Sequence, residues 1–412
     1  MNGISMRLKI KIRRVISGGA NQSLLLVRAA FDGLLSAVGP RNDSAAFSQR
    51  RARRLNVVCA LTGAAILALM SGCDHKLDLG TLPRAVDVTV DTSYVLIDPP
   101  ITGFSGPEDI IVGNDELLYV ADTKANRLVM LNRAGQFMSA RTLLHPRSVS
   151  QDSRLDLLVG GEIVSTSGDT VGAIFRIHLV SATPDSAHRL DMAPVDTVWR
   201  ESAHPNRRFP GIAVLSDNTY LAVRNGPDNS SFIDPDSRVL IFNSHDHFVA
   251  PVSGLVSGTG TGISNINQIT GITAFPNTFD FVLTQSAQGT AYGALWMTYS
   301  STVDFVGWLP KFDPANPLDR SSDFVRPYRY LDPEGVAIDR SRRDIFVADA
   351  DLDSVIKFNS RGVFKSESFG RTLTNGRMVR PTGIAFYDTY LYVLDGDLGI
   401  VYRFRLSTDI PR

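Results

Sequence analysis

Gly106-Pro107-Glu108-Asp109-Ile110-Ile111, then Leu117-Leu118-Tyr119-Val120-Ala121-Asp122, then Asn126-Arg127-Leu128-Val129-Met130-Leu131-Asn132 and Gly135-Gln136-Phe137, make up a phrase that this chain repeats. It returns as Asp332-Pro333-Glu334-Gly335-Val336-Ala337-Ile338, Asp344-Ile345-Phe346-Val347-Ala348-Asp349 and Ser354-Val355-Ile356-Lys357-Phe358-Asn359. A third copy reads Arg380-Pro381-Thr382-Gly383-Ile384-Ala385-Phe386, Leu391-Tyr392-Val393-Leu394-Asp395 and Val401-Tyr402-Arg403-Phe404. Weaker copies begin at His145-Pro146-Arg147, Phe209-Pro210-Gly211-Ile212-Ala213 and Ile269-Thr270-Gly271-Ile272-Thr273. Each unit is three or four short β-rich runs broken by turn residues, and repeats of roughly 40 to 65 residues stack to bury faces that none can bury alone.

The motif Pro-x-Gly-Ile-Ala followed by a Tyr/Phe-Val-Ala-Asp strand resembles NHL repeats over about residues 93–407. The resemblance implies an all-β chain folded as a six-bladed β-propeller of four-stranded antiparallel blades. Seven blades, with one near 184–206, and a non-propeller β fold are the alternatives. The runs Val86–Val90 and Ser93–Ile97 precede the first unit, while the last unit ends with its third strand. The N-terminal segment is therefore expected to supply the outer strand of the last blade.

Upstream, Arg50, Arg51, Arg53 and Arg54 precede an apolar run from Leu55 to Met70, then Ser71-Gly72-Cys73-Asp74. This resembles a bacterial lipoprotein signal: the run suffices for translocation but is short for a stable span. The resemblance implies cleavage before Cys73, lipidation of its thiol and an exported, membrane-anchored protein of the cell envelope. Met70 departs from the usual Leu, and a transmembrane or buried helix is the competing reading. The division is then 1–72 leader and signal peptide, 73–85 tether and 86–412 propeller. Translation starting downstream of Met1, for instance at the codon of Val38, would explain the long leader. Cys59 and Cys73 are the only cysteines, so the part after Cys73 has no disulfide. Asp74 resembles an inner-membrane retention signal in enteric bacteria.

The chain carries 42 Lys/Arg and 42 Asp/Glu, but residues 1–72 hold 11 of the basic and 2 of the acidic side chains. The remainder, with 31 and 40, has a net charge of about −9. That acidity argues against nucleic acid and against lying flat on anionic lipid.

In such rings the residue after the motif proline faces the central channel. Across the units this position holds Glu108, Arg147, Pro210, Thr270, Glu334 and Thr382. With Asn225, Gln285, Asp122, Asp349 and Asp395 at the ends of second strands, they are expected to line a mouth able to hold Ca²⁺, which takes six to eight oxygen ligands. Calcium-dependent lactonases are similar in placing a Glu there, so Glu108 and Glu334 are the candidate metal ligands. The competing reading makes both solvated loop carboxylates.

Of the seven histidines only His145 lies near the channel position; His245 and His247 fall where a surface turn is expected. A zinc lyase of this family is thereby disfavoured. Asp349 to Asp353 and Asp395 to Asp397 lack the glutamate of a calcium-binding loop and read as acidic turns. Ser148 and Ser286 have no nucleophile-elbow context, and no catalytic residue is assigned. Trp199, Trp296 and Trp308 would stack on sugars if exposed. The insertions at 225–237, 254–262 and 310–330 are the places to expect partner contacts. The function expected is recognition of an envelope protein, peptide or glycan, with a calcium-dependent lactonase or esterase as the alternative and a structural adaptor as the third.

Overall fold

The computed structural model describes residues 92–180, 188–313, 319, 321–374 and 377–410. The leader, the apolar run, Cys73 and the tether 73–85 lie outside the described residues. Six antiparallel sheets follow one another. The first blade is Asp109–Val112, Leu118–Asp122, Arg127–Leu131 and Phe137–Thr142; the second is Leu144–Gln151, Leu157–Val164, Thr170–Ile177 and Val195–Arg200. The third is Arg208–Val214, Tyr220–Asn225, Arg238–Phe242 and Phe248–Pro251; the fourth is Ile269–Ala274, Phe281–Gln285, Ala294–Ser301 and Val306–Pro310. The fifth is Pro333–Ile338, Ile345–Asp349, Ser354–Phe358 and Phe369–Gly370. The sixth is Pro381–Tyr387, Tyr390–Asp395 and Ile400–Leu406, completed on its outer side by Tyr94–Leu96.

The architecture is thus the all-β six-bladed propeller. Residues 195–200, within the stretch where a seventh blade was the alternative, form the outer strand of the second. The expected closure is present: Tyr94 pairs Leu406, Val95 pairs Arg405 and Leu96 pairs Phe404. Beyond this ladder Ser407 donates its N–H to the Ser93 carbonyl at 2.8 Å.

The hydropathy pattern explains where the core sits. A middle strand has a neighbouring blade on both faces, so Leu118–Asp122 and Ile345–Asp349 are buried throughout, whereas the outer Phe137–Thr142 is largely open to solvent. The apolar clusters accordingly form between blades: Tyr119, Val149, Val159 and Phe175 join the first to the second, and Trp296, Phe324, Val336 and Val347 join the fourth to the fifth.

The motif's glycine and its preceding residue acquire a joint explanation. A Cβ on Gly335 would lie 2.7 Å from the Thr382 carbonyl oxygen, and one on Gly271 3.0 Å from the Glu334 carbonyl. Glycine lets the innermost strands converge around the axis. Just before it the ladder slips by a residue: Pro333 pairs Asp349 and Gly335 pairs Ala348, leaving Glu334 unpaired. The same slip leaves Thr382 and Thr270 unpaired, and a wider one includes Arg147. A bulge re-aims the side chain it frees, which delivers the residue after the motif proline to the channel.

Candidate functional site: the mouth of the central channel

The innermost strands of all six blades enclose a cavity of about 680 Å³ whose lining includes Glu108, Arg147, Asn225, Thr270, Glu334 and Thr382. Arg380, Gln268 and Ser286 also line it; Asn114, Asn218 and Arg340 belong to its opposite end.

Around one side of the mouth the charges alternate. Glu334 Oε1 accepts from Arg380 Nη2 at 2.6 Å, and Arg147 Nη1 donates to both Glu108 oxygens at 2.9 and 3.0 Å. The other Arg147 nitrogen, Nη2, is 3.5 Å from Glu162, whose carboxylate accepts from Arg208 Nε at 2.7 Å. His145 Nδ1 is 2.9 Å from Glu162 Oε2. Contributed by blades five, six, one, two and three, these groups form a belt of three guanidiniums and three glutamates, of which Glu334, Arg380, Glu108 and Arg147 line the cavity while Arg208 and the buried Glu162 do not. Asn225, Gln268, Thr270 and Ser286, from blades three and four, leave the rest of the rim neutral and polar.

The environment separates the three carboxylates. Burial raises the Glu334 pKa to about 7, with help from neighbouring Asp332 and against the pull of Arg380. Burial also raises Glu108, opposed by Arg147. Burial pushes Glu162 the same way, but the His145 hydrogen bond and the charges of Arg208 and Arg147 outweigh it and hold Glu162 below its ordinary value. A carboxyl that holds its proton more tightly folded than unfolded stabilises the fold below its unfolded pKa, and that contribution is lost as pH rises through the folded pKa. For Glu334 the window runs from its ordinary 4.5 to about 7. The Glu334→Gln variant is therefore expected to lose the upper part of the decline in melting temperature between pH 5 and 8, a contribution of roughly 1–3 kcal/mol. Superimposable pH profiles for variant and wild type would refute this.

Of the residues expected at the mouth, Gln285, Asp122, Asp349 and Asp395 serve the frame instead, while Asn225, Thr270 and Thr382 line the cavity and brace the frame as well. Gln285 is buried, with its oxygen accepting from the Asn267 amide and its Nε2 donating to the Asn265 and Tyr292 carbonyls. Asp122, Asp349 and Asp395 are fully buried and bind backbone amides: Ser105 for Asp122; Leu331, Asp332 and Leu352 for Asp349; and Val379, Arg380, Asp397 and Leu398 for Asp395. Each pins an inter-blade connection to its hairpin. Thr382 lines the cavity, yet it is buried and its hydroxyl donates to the Pro107 carbonyl; the Thr270 hydroxyl donates to that of Pro333. These bonds staple adjacent blades together. Asn225 likewise exchanges hydrogen bonds with the Ile269 backbone.

The donor set does not fit a Ca²⁺ centre. Glu108 and Glu334 each face a guanidinium, which already supplies the positive charge a cation would bring and repels a second one. Among the described residues no group of three or more His, Cys, Asp or Glu is placed to hold a metal. His245 and His247 sit in an exposed turn whose amides are capped by Asn243 Oδ1. Trp296 and Trp308 are buried in blade four, and Trp199 is half-buried.

The insertions 226–237, 252–268 and 311–332 all leave the sheets at the end where the first strands begin. They either join second to third strands or carry the chain to the next blade, so antiparallel order puts them on the face that bears the belt. Within the stretch 254–262, Val256–Ser257 pair in parallel with Asn265–Ile266 just beyond it.

No protein-family model matches the sequence, and no curated protein matches it. Solved structures do resemble the fold. A glucose dehydrogenase aligns with a TM-score of 0.50 at 12% identity, over 76% of this chain and 98% of its own. A gluconolactonase from Xanthomonas campestris aligns at 0.49 and 11%, over 76% and 97%, and a luciferin-regenerating enzyme at 0.49 and 13%, over 76% and 95%. At these identities the likeness is one of fold alone.

Proposed function

We propose that this chain is a lipid-anchored binding propeller of the bacterial cell envelope, tethered through Cys73, whose channel mouth recognises a polar ligand bearing both signs of charge, such as a peptide segment. The observation that carries this reading is the alternating belt of Glu334, Arg380, Glu108, Arg147, Glu162 and Arg208. Guanidinium–carboxylate pairs give directional recognition, and a ligand bearing both signs of charge can exchange into a pair and satisfy both partners, where a single charge would leave one unmatched. The neutral arc opposite suits amides and hydroxyls. Metal-dependent lactone or ester hydrolysis has less support, because the carboxylates it would need are held by arginines.

The test is binding of the full-length protein to an array of envelope-type peptides and glycans, repeated with Arg147→Ala/Arg380→Ala. Wild type should retain charged peptides, and the variant should bind them at least about tenfold more weakly, the loss expected for one charge-assisted hydrogen bond or more. Failure of wild type to retain any ligand, or equal binding by the variant, would overturn the reading. Anchoring is checked separately: Cys73→Ser should abolish incorporation of labelled fatty acid, and undiminished labelling would refute lipidation at that residue.

A further inference from the structure

A second cavity, of about 620 Å³, lies between blades two and three, away from the channel. Its walls include Trp199 and Phe248 from the outer strands, with Leu240 and Pro251 beside them. The indole and the Phe248 ring stand 5.5 Å apart, and Phe248 is 41% exposed. The cavity therefore offers an aromatic surface accessible to a ligand.

The polar lining is predominantly cationic. Arg207 and Arg224 are buried and consume the available carboxylates: Arg207 binds Glu201, Asp234 and Asp236, and Arg224 binds Glu201 and Asp234. Arg200 and Arg238 also line the cavity and receive none. Arg238 donates to the Ile233 carbonyl at 2.6 Å, and the Arg200 side chain is exposed and makes no hydrogen bond or ion pair with the described residues. Four guanidiniums thus stand against three carboxylates, Glu201 and Asp234 in the lining and Asp236 on Arg207. Burial lowers the Arg238 pKa, and repulsion from Arg224 and Arg207 adds to this against the pull of Asp234. A negatively charged group in the cavity would relieve that repulsion.

We propose that this cleft is a second binding site, selective for small aromatic anions, with the ring against Trp199 and Phe248 and the anionic group directed to Arg238 and Arg200. Aromatic carboxylates and sulfonates have the required chemistry: a flat apolar body for the tryptophan side and two or three acceptor oxygens for planar guanidiniums. The bracing of Arg207 and Arg224 by buried Glu201 and Asp236 and by half-exposed Asp234 keeps the cleft preformed, so little ordering opposes binding.

The probe is 2-naphthoate, titrated against the full-length protein by calorimetry and by tryptophan fluorescence, with 2-naphthylmethanol and 2-naphthylmethylammonium as neutral and cationic comparators. Naphthoate should bind at least about tenfold more tightly than the alcohol, and the ammonium more weakly than either. Arg200→Ala/Arg238→Ala should lose that preference, Trp199→Phe should lose most of the fluorescence response, and Arg147→Ala/Arg380→Ala should leave both intact. Arg200→Glu, a change at an exposed side chain, repeats the test should the double variant fold poorly. No binding of naphthoate, equal affinity for the alcohol, or a preference unchanged by the cleft variants would overturn the proposal. A preference abolished only by the channel variant would assign the anion to the mouth instead and equally overturn it.

Discussion

Arg176→Met is expected to lower stability by about 3–5 kcal/mol, the cost of removing one partner from a buried ion-pair network. Arg176 is buried in the third strand of blade two and reaches across to blade three. Its Nε and Nη2 hold both oxygens of Asp246 at 2.8 and 2.7 Å, while Nη1 donates to Asp152 at 2.7 Å. Asp152 is itself buried, so methionine would fill the volume but leave that carboxylate with only the half-exposed Arg154 guanidinium and the Arg154 and Asp156 amides. Hydrogen bonds and charge from Asp246 and Asp152 raise the guanidinium pKa well above its usual value despite the opposing effect of burial, so arginine stays ionised at any ordinary pH. The melting temperature should fall by on the order of 10 °C. A double-mutant cycle with Asp246→Asn should show strong coupling; a loss below about 1 kcal/mol would mean that water replaces the arginine.

Asp395→Ala should cost a similar amount, roughly 3–5 kcal/mol, because one carboxylate satisfies four backbone amides in a fully buried site. Its Oδ2 accepts from Val379 at 2.7 Å and Arg380 at 3.3 Å, and its Oδ1 from Asp397 and Leu398 at 3.2 and 3.0 Å. Asp395→Asn keeps one acceptor oxygen and should lose about half as much. The alanine variant should also weaken ligand binding at the mouth, since the amide it releases belongs to Arg380. Chemical denaturation followed alongside ligand titration checks both effects; a stable variant with unaltered binding would show that other groups position the connection between blades five and six.

The repeat made the fold legible because it recorded two geometric necessities at once: apolar runs for blade faces and glycine where inner strands converge. The pairing of Tyr94–Leu96 with the last blade was likewise readable from a unit that ended one strand short. The roles of Asp395, Asp349 and Gln285 were not. Strand patterning shows that a polar residue ends a run, but whether it meets solvent or backbone amides depends on how an inter-blade connection folds back over it.

Much of the belt was missed for a related reason. Glu108, Arg147 and Glu334 follow a motif proline, whereas Arg380 precedes one and Glu162 lies at the far end of a second strand. The arginine immediately before Pro381, beside a motif position already expected at the axis, was the available signal. The Arg207 and Arg224 network draws its partners from the connection at 201–207 and the insertion at 226–237, two segments that no repeat pattern brings together.

The pairing of Tyr94–Leu96 with Ile400–Leu406 has a consequence for biogenesis. As the chain emerges vectorially, the partner of its first described strand is made some 300 residues later, so five blades can form while the ring still has two bare edges. Contacts of such high sequence separation form slowly, and unpaired strand edges invite association with other chains. The chain is thus most vulnerable in the interval between synthesis of blade one and arrival of blade six, and a chaperone that masks strand edges would matter most during that interval.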